Sequence, residues 1–285
     1  MSPPGTSRVP VLPVMLFLLA ALFLRSWLQT SLMIRGTSPT VAADLSYLVV
    51  PPLVFVFLFP LLRNRLEWIV EMFRYRGMTL SVFLHAMTIG LLLRIADWCQ
   101  LIAGIALGLY VDPTARSQPQ PSFAFECPDS TYLLLALVVT VILTPFVEEL
   151  TNRGLIQSSL EYRGPLIAIP VAAALFAIFH RSASWPMIFL GGLVLGVLFW
   201  KTRSLWPSLI THATVNALVL LDWRCLQGQW TPTLSSLPLW QLALPSLVIF
   251  ALAVVGVVFL LCKKIPGSMQ LPGNEQVTER LRPVQ

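Results

Sequence analysis

The apolar residues of this chain come in blocks about as long as a bilayer is thick, and that spacing restricts the fold more than any other feature. Eight blocks can be drawn, at about 9–27, 45–62, 80–110, 132–150, 166–179, 186–200, 205–221 and 242–262. Roughly 20 apolar residues in a helix cross the hydrocarbon core. In lipid every backbone N–H and C=O must find its partner within the protein, which only helices and closed barrels achieve. Solid apolar runs without strict alternation select helices. Composition agrees: 11% of the 285 residues are charged, against about a quarter in a soluble domain. The expectation is an all-α integral membrane protein with about eight transmembrane helices. Arg8 precedes the first block, and no small-x-small cleavage site follows it, so this block reads as a retained span.

Basic residues mark alternate connections. Arg63, Arg65, Arg74 and Arg76 follow the second block, Arg153 and Arg163 the fourth, Lys201 and Arg203 the sixth, and Lys263 and Lys264 the eighth. Positive residues stay inside, which places both termini in the cytoplasm, with Arg35, Arg116, Arg181 and Arg224 as exceptions. Spread in this way, the net charge of +6 serves orientation and argues against a nucleic-acid partner. The four cysteines lack the CxxC spacing of a metal site. Cys127 and Cys225 fall in the two long loops on the opposite side, where a disulfide and two free thiols both fit.

Four regions follow. Residues 1–131 hold the first three spans, with an amphipathic interfacial helix near 64–75. Residues 132–222 form a core that carries the motifs below. Residues 223–264 comprise an external loop and the last span, and 265–285 a polar tail expected to be disordered. Gly192 and Gly196 make a GxxxG step that suits close helix packing.

Ionisable groups inside a span are costly and point to function by default. In the third block Arg94 and Asp97 are three apart on one helical face and can neutralise each other; His85 lies near a block end. The fourth block ends in Glu148 and Glu149. Neighbouring helical residues point about 100° apart, so the two carboxylates cannot share one task. Glu149 and Arg153 have the acid-first i, i+4 order of a salt bridge. Glu148 then faces elsewhere, beside Asn152, as a candidate general base. Pro145 removes a helical hydrogen bond just before the pair. Phe176 and His180 are i, i+4, placing the ring beneath the imidazole, and so are His212 and Asn216. Glu148 and His180 each lie 16 residues from the turn at Gly164, so an antiparallel hairpin brings them to one level. His212 reaches that level if the hairpin protrudes by roughly 10 Å.

A carboxylate, two imidazoles and an amide at one depth suit water activation by Glu148, alone or with His180, and oxyanion stabilisation by His212 and Asn216. They also suit a divalent metal such as zinc, which takes about three protein ligands. The residues leave both open. The motifs Glu148-Glu149-xxx-Arg153, Phe176-xxx-His180 and His212-xxx-Asn216, in this order on separate spans, resemble those of the CPBP (Abi) family, which includes type II CAAX prenyl endopeptidases and bacteriocin-processing proteins. The resemblance covers about 132–221. It implies an eight-helix intramembrane endopeptidase acting on a membrane-anchored protein or peptide. Glu148, His180, His212 and Asn216 would be catalytic, with Glu149, Arg153, Asn152 and Phe176 in support. The short layout with cytoplasmic termini suits a bacterial inner-membrane member. Two other readings fit the polar residues: a non-proteolytic immunity or scaffold protein, and a proton-coupled transporter with Glu and His as a relay. No inverted repeat of broken helices supports the transporter.

Overall fold

A computed structural model describes residues 11–63, 66–73, 78–106, 132–180, 185–220 and 239–263. Every regular element among them is helical. In chain order they are α1 (Val11–Ile34), α2 (Pro39–Leu62), α3 (Leu66–Phe73), α4 (Leu80–Ala106), α5 (Leu133–Arg163), α6 (Pro165–Ile178), α7 (Trp185–Thr202), α8 (Leu205–Leu220) and α9 (Leu239–Cys262). Cys127, Cys225 and the segment 265–285 lie outside the described residues.

Six of these helices are long and apolar enough to cross a membrane: α1, α2, α4, α5, α7 and α9. The expected eight blocks are helical where described, but α6 ends after 14 residues. At 1.5 Å per residue it reaches about 21 Å, short of a hydrocarbon core of roughly 30 Å. His180 lies just past the end of α6, and α8 carries His212.

The packing inverts that of a soluble domain. Phe23, Leu166 and Leu252 point outward at 76%, 90% and 65% exposure, while Arg153, Gln157 and Glu149 are fully buried. Outward apolar side chains suit lipid, which satisfies no polar group. α5 lies at the centre, with every residue from Leu150 to Gln157 buried. Around it α1 packs on α2, α4 on α9 and α8, and α6 on α7.

Small residues set the α6–α7 approach. A Cβ on Gly192 would come within 2.9 Å of the Ala173 Cβ, and one on Gly196 within 2.8 Å of Ile169 Cγ2. The GxxxG step therefore packs as its spacing suggests. It also exposes carbonyls to α5: Arg153 Nη2 donates to Gly192 O and Gln157 Nε2 to Gly196 O, both at 3.0 Å.

α5 is not a regular α-helix. Its turns widen to the π type over Leu137–Leu143 and again over Leu150–Gln157, on either side of a regular stretch at Thr144–Glu149. Pro145 sits in the first turn of that stretch, where a missing N–H costs least. The expected proline kink is thus a pair of wide-turn segments flanking Glu148 and Glu149, a distortion common at functional sites. Gly164 closes α5 with φ 85°, a conformation that favours glycine, and Pro165 opens α6. The amphipathic α3 docks through Ile69, Met72 and Phe73 onto Leu150, Phe199, Leu205 and Leu209. The Trp206 indole N–H secures it, donating to Phe73 O at 2.8 Å.

Candidate active site

The two adjacent carboxylates of α5 part as their helical angle requires. Glu149 turns into the protein and is fully buried. Its Oε2 lies 3.3 Å from Arg153 Nε one turn on. This is an ion pair without hydrogen-bond alignment. Its Oε1 lies 2.9 Å from His212 Nδ1 on α8. An ionised carboxylate can only accept, so this contact puts a proton on Nδ1. The opposite nitrogen, Nε2, then points at Glu148, 3.7 Å from Oε2. Glu149 therefore orients the imidazole, and Arg153 holds Glu149.

Glu148 turns the other way. Its side chain is 18% exposed and lines a cavity of about 270 Å³ together with His180. The equal spacing of these two residues from Gly164 does bring them to one level. His180 lies just beyond the end of α6, where its backbone N–H donates to Ala177 O and its Nδ1 meets Phe176 O at 2.9 Å. A helix that ends inside the membrane is tolerated where it lines a cavity. The Phe176 ring is the centrepiece of the packing. It meets His180 edge-on at 4.8 Å and His212 at 5.9 Å, and the Arg153 guanidinium lies 4.8 Å from its centroid.

Residues 130–218 match the family model described as type II CAAX prenyl endopeptidase Rce1-like. No curated protein and no solved structure matches the chain. The match and the three motifs inside it support a CPBP-family intramembrane protease.

Two amides of the site donate to backbone carbonyls of α5. Asn152 Nδ2 donates to the Glu148 backbone carbonyl at 2.9 Å. Asn216 Nδ2 donates to Thr140 O at 2.9 Å. That carbonyl belongs to a wide-turn segment of α5, so the amide ties α8 to the distorted helix. The Arg94–Asp97 pair forms on α4 as expected.

Two residues of the cavity were not singled out from sequence. Tyr47 on α2 donates its hydroxyl to Glu148 Oε1 at 2.6 Å, so the carboxylate expected to be free is partnered. Arg25 on α1 lines the same cavity, with its guanidinium carbon 5.0 Å from the Tyr47 ring centroid. The rule that flags intramembrane charges covers Arg25, which lies within the first apolar block. Nothing in the local pattern links Tyr47 to a carboxylate 101 residues later. Both lie outside the segment that matches the family.

Among the described residues no three His, Cys, Asp or Glu side chains are grouped so that they could hold a metal ion. Glu149 serves Arg153 and His212, and the Nδ1 atoms of His180 and His212 are held by Phe176 O and Glu149. Both Nε2 atoms and the Glu148 carboxylate are the groups that would hold a divalent metal, with the Nδ1 contacts orienting the rings.

Proposed function

We propose that this protease hydrolyses a peptide bond near the end of a membrane-associated protein or peptide, of the CAAX type or a C-terminal anchor or leader, using a water activated by Glu148. One observation carries the reading: the Glu148 carboxylate lies on a cavity wall shared with His180, held by Tyr47 on one oxygen and facing His212 Nε2 with the other. Glu148 takes a proton from water, and the hydroxide adds to the scissile carbonyl carbon. His180, on the same wall, orients that water. The oxyanion accepts hydrogen bonds from His212 and from the second N–H of the Asn216 amide, whose first N–H serves Thr140. The tetrahedral adduct then collapses, and Glu148 returns the proton to the leaving nitrogen.

The donors to the oxyanion are fixed before substrate arrives, His212 through Glu149 and Asn216 through Thr140. Preorganised donors of this kind are worth about 10²–10³ in rate. The cavity walls supplied by Leu18, Leu22, Val50 and Val54 suit a lipid-modified or apolar tail. The alternating basic connections favour cytoplasmic termini in a bacterial inner membrane.

The test is cleavage of a membrane-tethered reporter peptide by the full chain in proteoliposomes. Glu148→Gln keeps an acceptor for Tyr47 but cannot take a proton, and should lower the rate by about 10²–10⁴ without changing thermal unfolding. Cleavage at the wild-type rate in this variant rules out the mechanism.

A further inference from the structure

Arg25 is an intramembrane cation that the chemistry above does not use. α1 ends at Ile34, so Arg25 lies nine residues inside that end, about 13 Å at 1.5 Å per residue, deep within the span. A charge at that depth is expensive and is normally paired or faces a water-filled cavity. Arg25 faces the cavity. Among the described residues it makes no ion pair, and its guanidinium rests on the face of the Tyr47 ring. Asp44, one turn before Tyr47 on α2, does not pair with it. The guanidinium therefore lacks an anion at a depth where lipid cannot supply one. Headgroup phosphates lie at the interface, roughly 15 Å from the midplane.

We infer that Arg25, steadied on the Tyr47 ring, forms an anion subsite that binds the C-terminal carboxylate of the substrate peptide. This rests on the proposed hydrolysis at Glu148 and adds to it a reason for the position of the cut. Tyr47 spans the two groups: its hydroxyl is 2.6 Å from Glu148 Oε1 and its ring centre 5.0 Å from the Arg25 guanidinium carbon. The two contacts, with the length of the phenol between them, hold Arg25 within about 10 Å of the Glu148 carboxylate, the reach of roughly three extended residues. A carboxylate held by Arg25 places a bond at most about three residues from the chain end opposite the activated water. Planar guanidinium binds carboxylate through two parallel N–H groups, so the subsite fixes register as well as charge. Tyr47 is a positioning residue for both ends of this arrangement.

The experiment uses the full chain in proteoliposomes and a prenylated CAAX-type reporter peptide made in two forms, one ending in a free carboxylate and one in a carboxamide. The wild-type protein should favour the acid over the amide in kcat/KM by roughly ten- to a hundredfold, the range of a charge-assisted hydrogen bond. Arg25→Gln should bring the acid down to the level of the amide, mainly through KM, and leave the amide rate within about twofold of wild type. Arg25→Lys should restore part of the preference. The amide serves as the folding control, because a misfolded variant loses both forms. Equal loss of both forms in Arg25→Gln, or a wild-type protein indifferent to the terminus, overturns the subsite. Dependence on anionic lipid that vanishes in Arg25→Gln for acid and amide alike would assign the anion to lipid and overturn it too. Glu148→Gln separates the two readings. If it abolishes cleavage of both peptides while the terminus has no effect, hydrolysis at Glu148 stands and the subsite fails. If it leaves cleavage intact, the hydrolysis itself fails.

Discussion

Among the described residues, two arginine–carboxylate pairs lie within membrane spans, and they have different fates. Arg94 and Asp97 on α4 are three residues apart, with side chains 14% and 41% exposed. Glu149 and Arg153 on α5 are four apart and wholly buried, at 0% and 1%. Each pair follows from helical spacing alone. They differ in what a third helix brings to them. Trp98, one turn on from Arg94 in the same helix, lies under its guanidinium. Glu149 receives His212 from α8, and Arg153 reaches Gly192 O on α7 and the Phe176 ring on α6. The Glu149–Arg153 pair also anchors three other helices and so fixes the orientation of an imidazole. A desolvated pair is strongly destabilising when broken from one side, because it leaves a bare charge. Arg94 and Asp97 lie within a span as well, so breaking that pair also leaves a costly charge, but one remote from His212.

This contrast can be tested on both sides. Arg153→Met should cost about 3–5 kcal/mol in reversible unfolding in detergent micelles, since it strands the Glu149 carboxylate. Adding Glu149→Gln should recover part of that stability but no activity, because His212 loses its anchor. If Arg153→Met unfolds like wild type, Glu149 is not an ionised, buried partner and the contrast between the two pairs disappears. Tyr47→Phe removes one hydrogen bond to Glu148 and should lower kcat roughly tenfold, read in the proteoliposome assay, with the unfolding midpoint little changed. Asp97→Asn, the matched change on α4, strands Arg94 within the span and should cost about 1–3 kcal/mol, but leave cleavage within about twofold. A larger effect on cleavage would give α4 a role in the site. The smallest change is expected from metal removal. Dialysis against a strong chelator should leave the rate unaltered where Glu148 alone activates the water; loss of cleavage that zinc restores would assign a metal to Glu148 and the two Nε2 atoms.

The helical membrane fold was legible because each apolar block is long enough to cross lipid and can satisfy its own backbone only as a helix. The pairing of Glu149 with Arg153, the stacking of Phe176 on His180 and the common level of Glu148 and His180 were legible for a similar reason. Each follows from counting residues along one helix or across one tight turn at Gly164. The count of spans was less so. Fourteen apolar residues in α6 look like a span until the helix is seen to stop at Ile178, two residues before His180 on the cavity wall. The amides of Asn152 and Asn216 were placed on the right helices, but their backbone acceptors were not legible. Spacing shows which residues share a face and does not show which carbonyls a distorted neighbouring helix leaves open.

What the sequence determined by itself is therefore local and periodic: the helices, their apolar lengths, and the contacts at i, i+3 and i+4 that a fixed rise and turn angle impose. What only the tertiary structure decided is which separate helices face the two carboxylates. His212 meets Glu149 across 63 residues, and Tyr47 meets Glu148 across 101. No periodicity spans such distances. These contacts depend on how α8 and α2 pack against α5. Those are properties of packed surfaces, which come into being only when the helices meet.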